Sequence, residues 1–269
     1  MLRRPVPPTT RLLNTPDIEI WPGGLLRARS NADARHLARA TRVLRRKRDG
    51  RYLAAEMADG LLPMVARLAH ESGIDAAMDA LDAPASRGVP QTAQALPLDR
   101  LHERLGGLGI HADDYADRTS LALEPEPDWL AFAGFDRYRR ALWLRRDAAR
   151  AWLAMRDAAM RDGVVLEAIS GYRSHDYQLG IFERKQARGL AVEEILAVNA
   201  APGFSEHHSG QALDIGTPGE PPAEESFEAT PAFDWLQRNA ATHGFAMSYP
   251  RDNPHGIVYE PWHWRHGSA

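Results

Sequence analysis

The sequence predicts an α+β fold: a mainly antiparallel central sheet flanked by helices, with a largely helical N-terminal region in front of it. Three observations lead there. From residue 140 onward, strand-like and helix-like segments mix without the regular alternation that builds a parallel sheet. Apolar residues in the stretch 31–72 recur at helix spacing. The 269 residues are 44% hydrophobic and 26% charged, a mixture that buries a core and excludes global disorder. That length fits one large domain or two small ones. The division falls near residue 120, between a mostly helical region at 1–120 and a second domain at 121–269.

The elements follow in order. Residues 1–30 are Pro-rich and irregular, with one short strand at Ile18–Trp21. Residues 31–72 read as helical, capped by Asn31 or Asp33, with Leu37, Ala40, Thr41 and Leu44 at helical intervals. The run Arg35 to Arg51 holds eight basic residues and one acid, Asp49. It reads as a solvated helix face rather than a surface for an anionic polymer. Residues 83–98 read as a linker, Leu98–Leu105 as a short helix ended by Gly106-Gly107, and 121–135 as a loop. Asp147 is expected to cap a helix that runs to Arg161 and stops at Gly163. Val164–Ile169 is a strand, and Ser174 or Asp176 caps the next helix, where Gln178, Ile181, Phe182 and Lys185 share a face. Ala191–Val198 is helical, Gln211–Ile215 a strand, Thr230–Thr242 a helix closed by Gly244, and Phe245–Ser248 a strand. Ile257–Glu260 is the last expected strand.

Composition excludes several classes of function. The net charge is −3 and the pI near 6.4, which argues against a chain built to coat nucleic acid. No apolar run approaches the ~20 residues of a membrane span. There is no cysteine, so disulfides, thiolate zinc sites and cysteine nucleophiles are all excluded. A metal here has only His, Asp and Glu for side-chain ligands. The N-terminus is basic but has no apolar stretch behind it, which reads as cytoplasmic as written. A truncated or mis-assigned start would instead fit the periplasm or cell envelope.

Two segments near the C-terminus concentrate metal-ligand chemistry: Ser205-Glu206-His207-His208-Ser209-Gly210-Gln211-Ala212-Leu213-Asp214 and Glu260-Pro261-Trp262-His263-Trp264-Arg265. A catalytic zinc site takes three protein ligands and keeps one position open. His207, Asp214 and His263 supply such a set, and Glu260 remains as a carboxylate able to take a proton from water. Gly210 permits a turn between His207 and Asp214. Ala212 faces the same side of its strand as Asp214 and is small. Glu260 and His263 would face opposite sides of a plain strand, so a bend at Pro261 is needed to bring them together.

The pattern Ser-X-His-X-X-Gly-X-Ala-X-Asp followed by Glu-X-Trp-His resembles the signature of the zinc D-alanyl-D-alanine carboxypeptidases of the vancomycin-resistance type. Their wider group includes lysostaphin-type enzymes and the zinc domain of hedgehog proteins. The likeness covers roughly residues 130–266 and implies a hedgehog/D-Ala-D-Ala peptidase-like fold. It implies Zn²⁺ on His207, Asp214 and His263, and Glu260 as general base and then acid. It implies that Arg173 stabilises the oxyanion and helps place the substrate, and that Ser205 and Gln178 contact the substrate or order the site. Ser170–Ser174, with Tyr172, is similar to the family's substrate-binding segment. The implied partner is a peptidoglycan stem peptide or muropeptide that loses its terminal D-alanine, and both D,D- and L,D-carboxypeptidases occur on the scaffold.

The other histidines carry plainer readings. His208 points away from His207, to the surroundings of the site or to the surface. His255 and His266 read as exposed, and His175 lies in the Arg173 segment. Trp262 and Trp264 read as core that fixes His263, whereas Tyr172 and Tyr249 fit either the cleft or the core. Two alternatives stand beside the carboxypeptidase: an endopeptidase with a groove open at both ends, and a zinc-stabilised binding module without turnover. Nothing in the sequence signals an oligomeric state.

Overall fold

The computed structural model describes residues 10–83, 92–98 and 100–267. Residues 84–91, half of the expected linker, lie outside them. The elements build two antiparallel sheets instead of one. The first has seven strands in the order β5-β4-β3-β2-β1-β6-β7. These are β1 (Arg11–Asn14), β2 (Ile18–Pro22), β3 (Arg42–Arg46), β4 (Tyr52–Met57), β5 (Gly60–Pro63), β6 (Trp129–Phe135) and β7 (Ala141–Leu144). Strands from both sides of residue 120 share it, because β1 pairs with β6.

The N-terminal region is therefore not largely helical. Within 31–72 the only α-helix is α1 (Asn31–Leu37), capped by Ser30, whose hydroxyl accepts from the Asp33 amide. Three strands, β3, β4 and β5, follow that helix, and in β3 neighbouring residues are buried on opposite sides. Leu44 joins Ile18, Ile20 and Leu53 against α2 (Ile74–Asp82), while Val43 joins Tyr52 and Ala55 against Leu37. Burial with a period of two is a strand property. Asp49-Gly50 supplies the hairpin turn, with Gly50 at φ +68°.

The basic run is not a helix face either. Arg42 and Arg45 lie directly across the sheet from Glu56 and Glu19 and bond them at 2.6 and 2.5 Å. Arg46 pairs with Asp49 and Glu71. Cross-strand opposite charges of this kind stabilise a sheet.

Helices α3 (Leu101–Gly107) and α4 (Ala112–Thr119) follow and pack against the later part of the chain through Leu101, Leu105 and Tyr115. Trp129–Phe135, expected as loop, is strand β6. Next comes α5 (Arg146–Arg161), which buries Trp152, Met155 and Ala159. It begins one residue before Asp147, so that carboxylate sits in the first turn, where it favours the helix dipole, and caps nothing.

The second sheet has the order β10-β11-β9-β8, formed by β8 (Glu167–Ser170), β9 (Ala212–Gly216), β10 (Phe245–Met247) and β11 (His263–His266). Between its strands lie α6 (His175–Gln186), α7 (Val192–Leu196) and α8 (Pro231–Asn239). The Ser174 hydroxyl caps α6 by accepting from the Tyr177 amide. One face of this sheet packs Leu213, Ile215 and Trp264 onto α5 and α8.

The last strand is not Ile257–Glu260. That segment is irregular, and its polar backbone finds local partners: Asn253 Nδ2 donates to Ile257 O at 2.8 Å, and Glu260 N donates to Tyr249 O at 3.0 Å. Pro261 stands in the turn that precedes β11.

Candidate active site

Register within the second sheet assembles the site. Asp214, in the middle of β9, lies directly opposite His263, the first residue of β11. On its other side β8 places Ser170 beside Asp214, after a bulge. His207 comes from the short 3₁₀ segment Glu206–Ser209 that leads into β9. Gly210 closes that segment at φ +71°, and a Cβ there would lie 2.5 Å from Leu130 Cδ2 and 3.2 Å from Arg145 N. Only glycine meets both demands, which ties the site to β6 and to the start of α5.

The three side chains converge. His207 Nε2 lies 3.2 Å from Asp214 Oδ1, and His263 Nδ1 lies 3.0 Å from the same oxygen. One donor atom from each residue falls within 4.8 Å of the others. Tetrahedral zinc with bonds of about 2.0–2.1 Å sets neighbouring ligand atoms about 3.3 Å apart, so this donor set fits that ion. The far ring nitrogens are held. His207 Nδ1 bonds Gly171 O at 2.8 Å, and His263 Nε2 bonds Glu206 Oε2 at 2.9 Å. Both rings are thereby turned with the remaining nitrogen inward.

Charge is distributed unevenly. Burial, with the neighbouring Arg173, pushes His207 down to about 4, so its ring is neutral and its inner nitrogen is an acceptor that faces Arg173 Nη2. His263 goes up to about 10: burial opposes this, but Asp214 and Glu206 on its two nitrogens hold the proton. Burial also works against ionisation of Asp214, yet His207, His263 and Arg173 keep its carboxyl well below the usual range. Glu206 is held at about 2 against burial, chiefly by His263.

Glu260 Oε2 lies 3.8 Å from His263 Nδ1, and the turn that joins them is closed by His263 N donating to Glu260 O at 3.1 Å. The required bend is this turn. Burial raises Glu260 to about 7, with Asp214 adding to the rise and His263 opposing it. Arg173 Nη2 donates to Asp214 Oδ2 at 2.9 Å and contacts His207 Nε2 at 2.6 Å, while its Nε donates to Ser170 Oγ. Its own backbone is clamped, since Arg173 N donates to His207 O and His208 Nδ1 bonds Arg173 O at 2.7 Å. His208 is thus fully buried and not at the surface.

Ser205, Gln178, Arg173 and Glu260 line one cavity of about 330 Å³ with the three ligands, and Tyr249 and Trp262 share its wall. Tyr172 does not. It lines a separate pocket, donates its hydroxyl to Glu126 and accepts from Asn14 Nδ2. Its hydrogen bonds to Glu126 and Asn14 and its packing on Leu12, Leu130 and Trp143 hold it there. His175 is buried, its Nε2 on Glu124 O, and His255 is half-buried on Thr119 O. His266 packs on Phe245 and Trp264 lies in the core. The sequence reading missed Glu206; the one signal available was a carboxylate adjoining a ligand histidine.

Comparison with known proteins finds relatives of the part of the chain that carries the cleft. A family model described as VanY, D-alanyl-D-alanine carboxypeptidase, matches residues 141–268, a span that contains every cleft residue named above. The putative carboxypeptidase YodJ of Bacillus subtilis is 40% identical over 128 residues, which cover 46% of this chain and 46% of that protein. The bifunctional D-Ala-D-Ala dipeptidase and carboxypeptidase VanXYC of Enterococcus gallinarum is 30% identical over 148 residues, covering 52% of this chain and 75% of that one. Among solved structures, a vancomycin-resistance D,D-pentapeptidase VanY mutant from a VanB-type cassette, in complex with Zn(II), is 29% identical. It covers 47% of this chain and 74% of its own, with a TM-score of 0.40. The chain spans about half the length of the Bacillus relative.

Proposed function

The chain belongs to the VanY family of D-alanyl-D-alanine carboxypeptidases, and from that membership we propose that it is a zinc-dependent carboxypeptidase. It removes the terminal D-alanine from peptidoglycan stem peptides. The observation that carries this reading is the convergence of His207, Asp214 and His263 on one point, with the buried carboxylate of Glu260 beside them.

Those three residues would hold Zn²⁺, which supplies Lewis acidity for the scissile carbonyl and acidifies a bound water. Every other role falls to the protein. Glu260, raised toward neutrality by burial, accepts the proton of the attacking water and returns it to the departing amine. Arg173 brings a fixed guanidinium to the oxygen that gains charge. Removing one such donor typically slows a reaction by ~10²–10³. Ser205 and Gln178 stand on the cavity wall where they contact the peptide. Tyr172 has no place in this scheme as a substrate contact, because its hydroxyl is committed to Glu126 and Asn14.

The test is mass spectrometry of products. Zinc-loaded protein is incubated with a muramyl pentapeptide and tetrapeptide, beside a chelator-treated control. Metal-dependent loss of a single alanine is expected, and the peptide consumed assigns D,D- or L,D-specificity. Cleavage inside the stem, or no metal-dependent product from either peptide, overturns the reading.

A further inference from the structure

The cleft contains a second cation besides Arg173. Lys185 stands on α6 seven residues after Gln178, two turns along the same face, and both line the cavity that holds the three ligands and Glu260. The Arg173 guanidinium is engaged by Asp214 and His207. Lys185 makes no ion pair with any described residue. Burial, with Arg188 nearby, also holds its ammonium below the ordinary lysine value.

Gln178 gives the wall a direction. Its Nε2 donates to Ala200 O at 2.9 Å, and a carbonyl oxygen only accepts, so the amide is fixed in this orientation. Its Oε1 is left buried without a partner, an acceptor waiting for an N–H. Val198 and Val258, 45% and 44% exposed, form apolar wall of the same cavity. An acceptor, an unpaired ammonium and small apolar walls together match a C-terminal alanine residue with its amide N–H, free carboxylate and methyl group.

We propose that Lys185 binds the free α-carboxylate of the substrate's C-terminal residue and thereby restricts the cleft to removal of a terminal residue. The proposal rests on the carboxypeptidase reading and adds to it the group that reads the chain end. Lys185 acts here on specificity and binding, not on the reacting atoms.

The experiment measures binding apart from turnover. Zinc-loaded Glu260→Gln protein is titrated calorimetrically with an N-acetylated tripeptide ending in D-alanyl-D-alanine and with its C-terminal amide. The acid is expected to bind about tenfold or more tightly than the amide, the range of a hydrogen bond between charged groups. Adding Lys185→Met should remove that preference, and Lys185→Arg should keep most of it, with melting curves showing that both variants fold. A preference that survives Lys185→Met, or no preference in the parent, overturns the proposal. Alanine release by protein with Glu260 intact judges the carboxypeptidase reading separately.

Discussion

Glu206 shows how much of the site depends on a residue that touches no metal. Its carboxylate holds His263 Nε2 at 2.9 Å and is itself held by Arg265 at 3.1 Å, so the ring is fixed with Nδ1 toward Asp214. Losing such a partner typically weakens metal affinity by about 10–100-fold. Glu206→Gln should therefore bind zinc that much more weakly in a competitive chelator titration, and unchanged affinity would remove Glu206 from the site. At this scale the sequence was informative about residue types and silent about their surroundings. His207, Asp214, His263 and Glu260 stood out because metal chemistry needs those side chains. Glu206 did not, because a carboxylate beside a histidine becomes meaningful only once register has brought His263 to it from 57 positions away. Tyr172, which fits cleft or core in sequence, lies outside the ligand cavity for the converse reason: the Glu126 that captures its hydroxyl lies 46 positions earlier.

Elements were legible where periodicity was long and caps were local. Helix α5 shows its buried stripe of Trp152, Met155 and Ala159 in sequence, and of the two candidate caps of α6, Ser174 and Asp176, Ser174 takes the role. Short strands were lost where helix formers fill them. Leu37, Ala40, Thr41 and Leu44 fit a helical stripe, yet Val43 and Leu44 are buried on opposite faces of a sheet. Tertiary burial here overrides propensity. The last strand slipped by six residues, from Ile257 to His263, because Asn253 and Tyr249 bind the backbone of the segment that reads as β-rich. That displacement matters for chemistry, since it puts a turn between Glu260 and His263 and lets both reach the same point.

At the scale of the whole molecule, one buried network ties the seven-stranded sheet to the segment that carries Arg173. Glu126 bonds Lys47 Nζ at 2.6 Å and Asn14 Nδ2 at 3.2 Å from the N-terminal strands and their hairpin. It also bonds the Tyr172 hydroxyl and the His175 amide on either side of Arg173. Burial alone would raise its carboxyl, but Lys47 and His175 hold it far below the ordinary range. A depressed carboxylate contributes its full stability above its unfolded value of about 4.3 and loses it as the pH falls toward the lower folded value. The wild-type melting temperature should thus drop more steeply than that of Glu126→Gln as the pH is taken from about 5 to 3. Parallel pH profiles would show that this network does not couple the two sheets to protonation. Such long-range links are invisible in the sequence, where Lys47 reads as one charge in a basic run.

In the proposed reaction, zinc held by His207, Asp214 and His263 works together with Glu260 as the base. The most direct measurement is the rate of D-alanine release by Glu260→Gln protein, with bound zinc determined on the same sample. A full complement of zinc and a rate reduced by ~10²–10⁴, the range general-base catalysis contributes, are expected. Release at the wild-type rate from zinc-replete Glu260→Gln protein would remove Glu260 from the role of base.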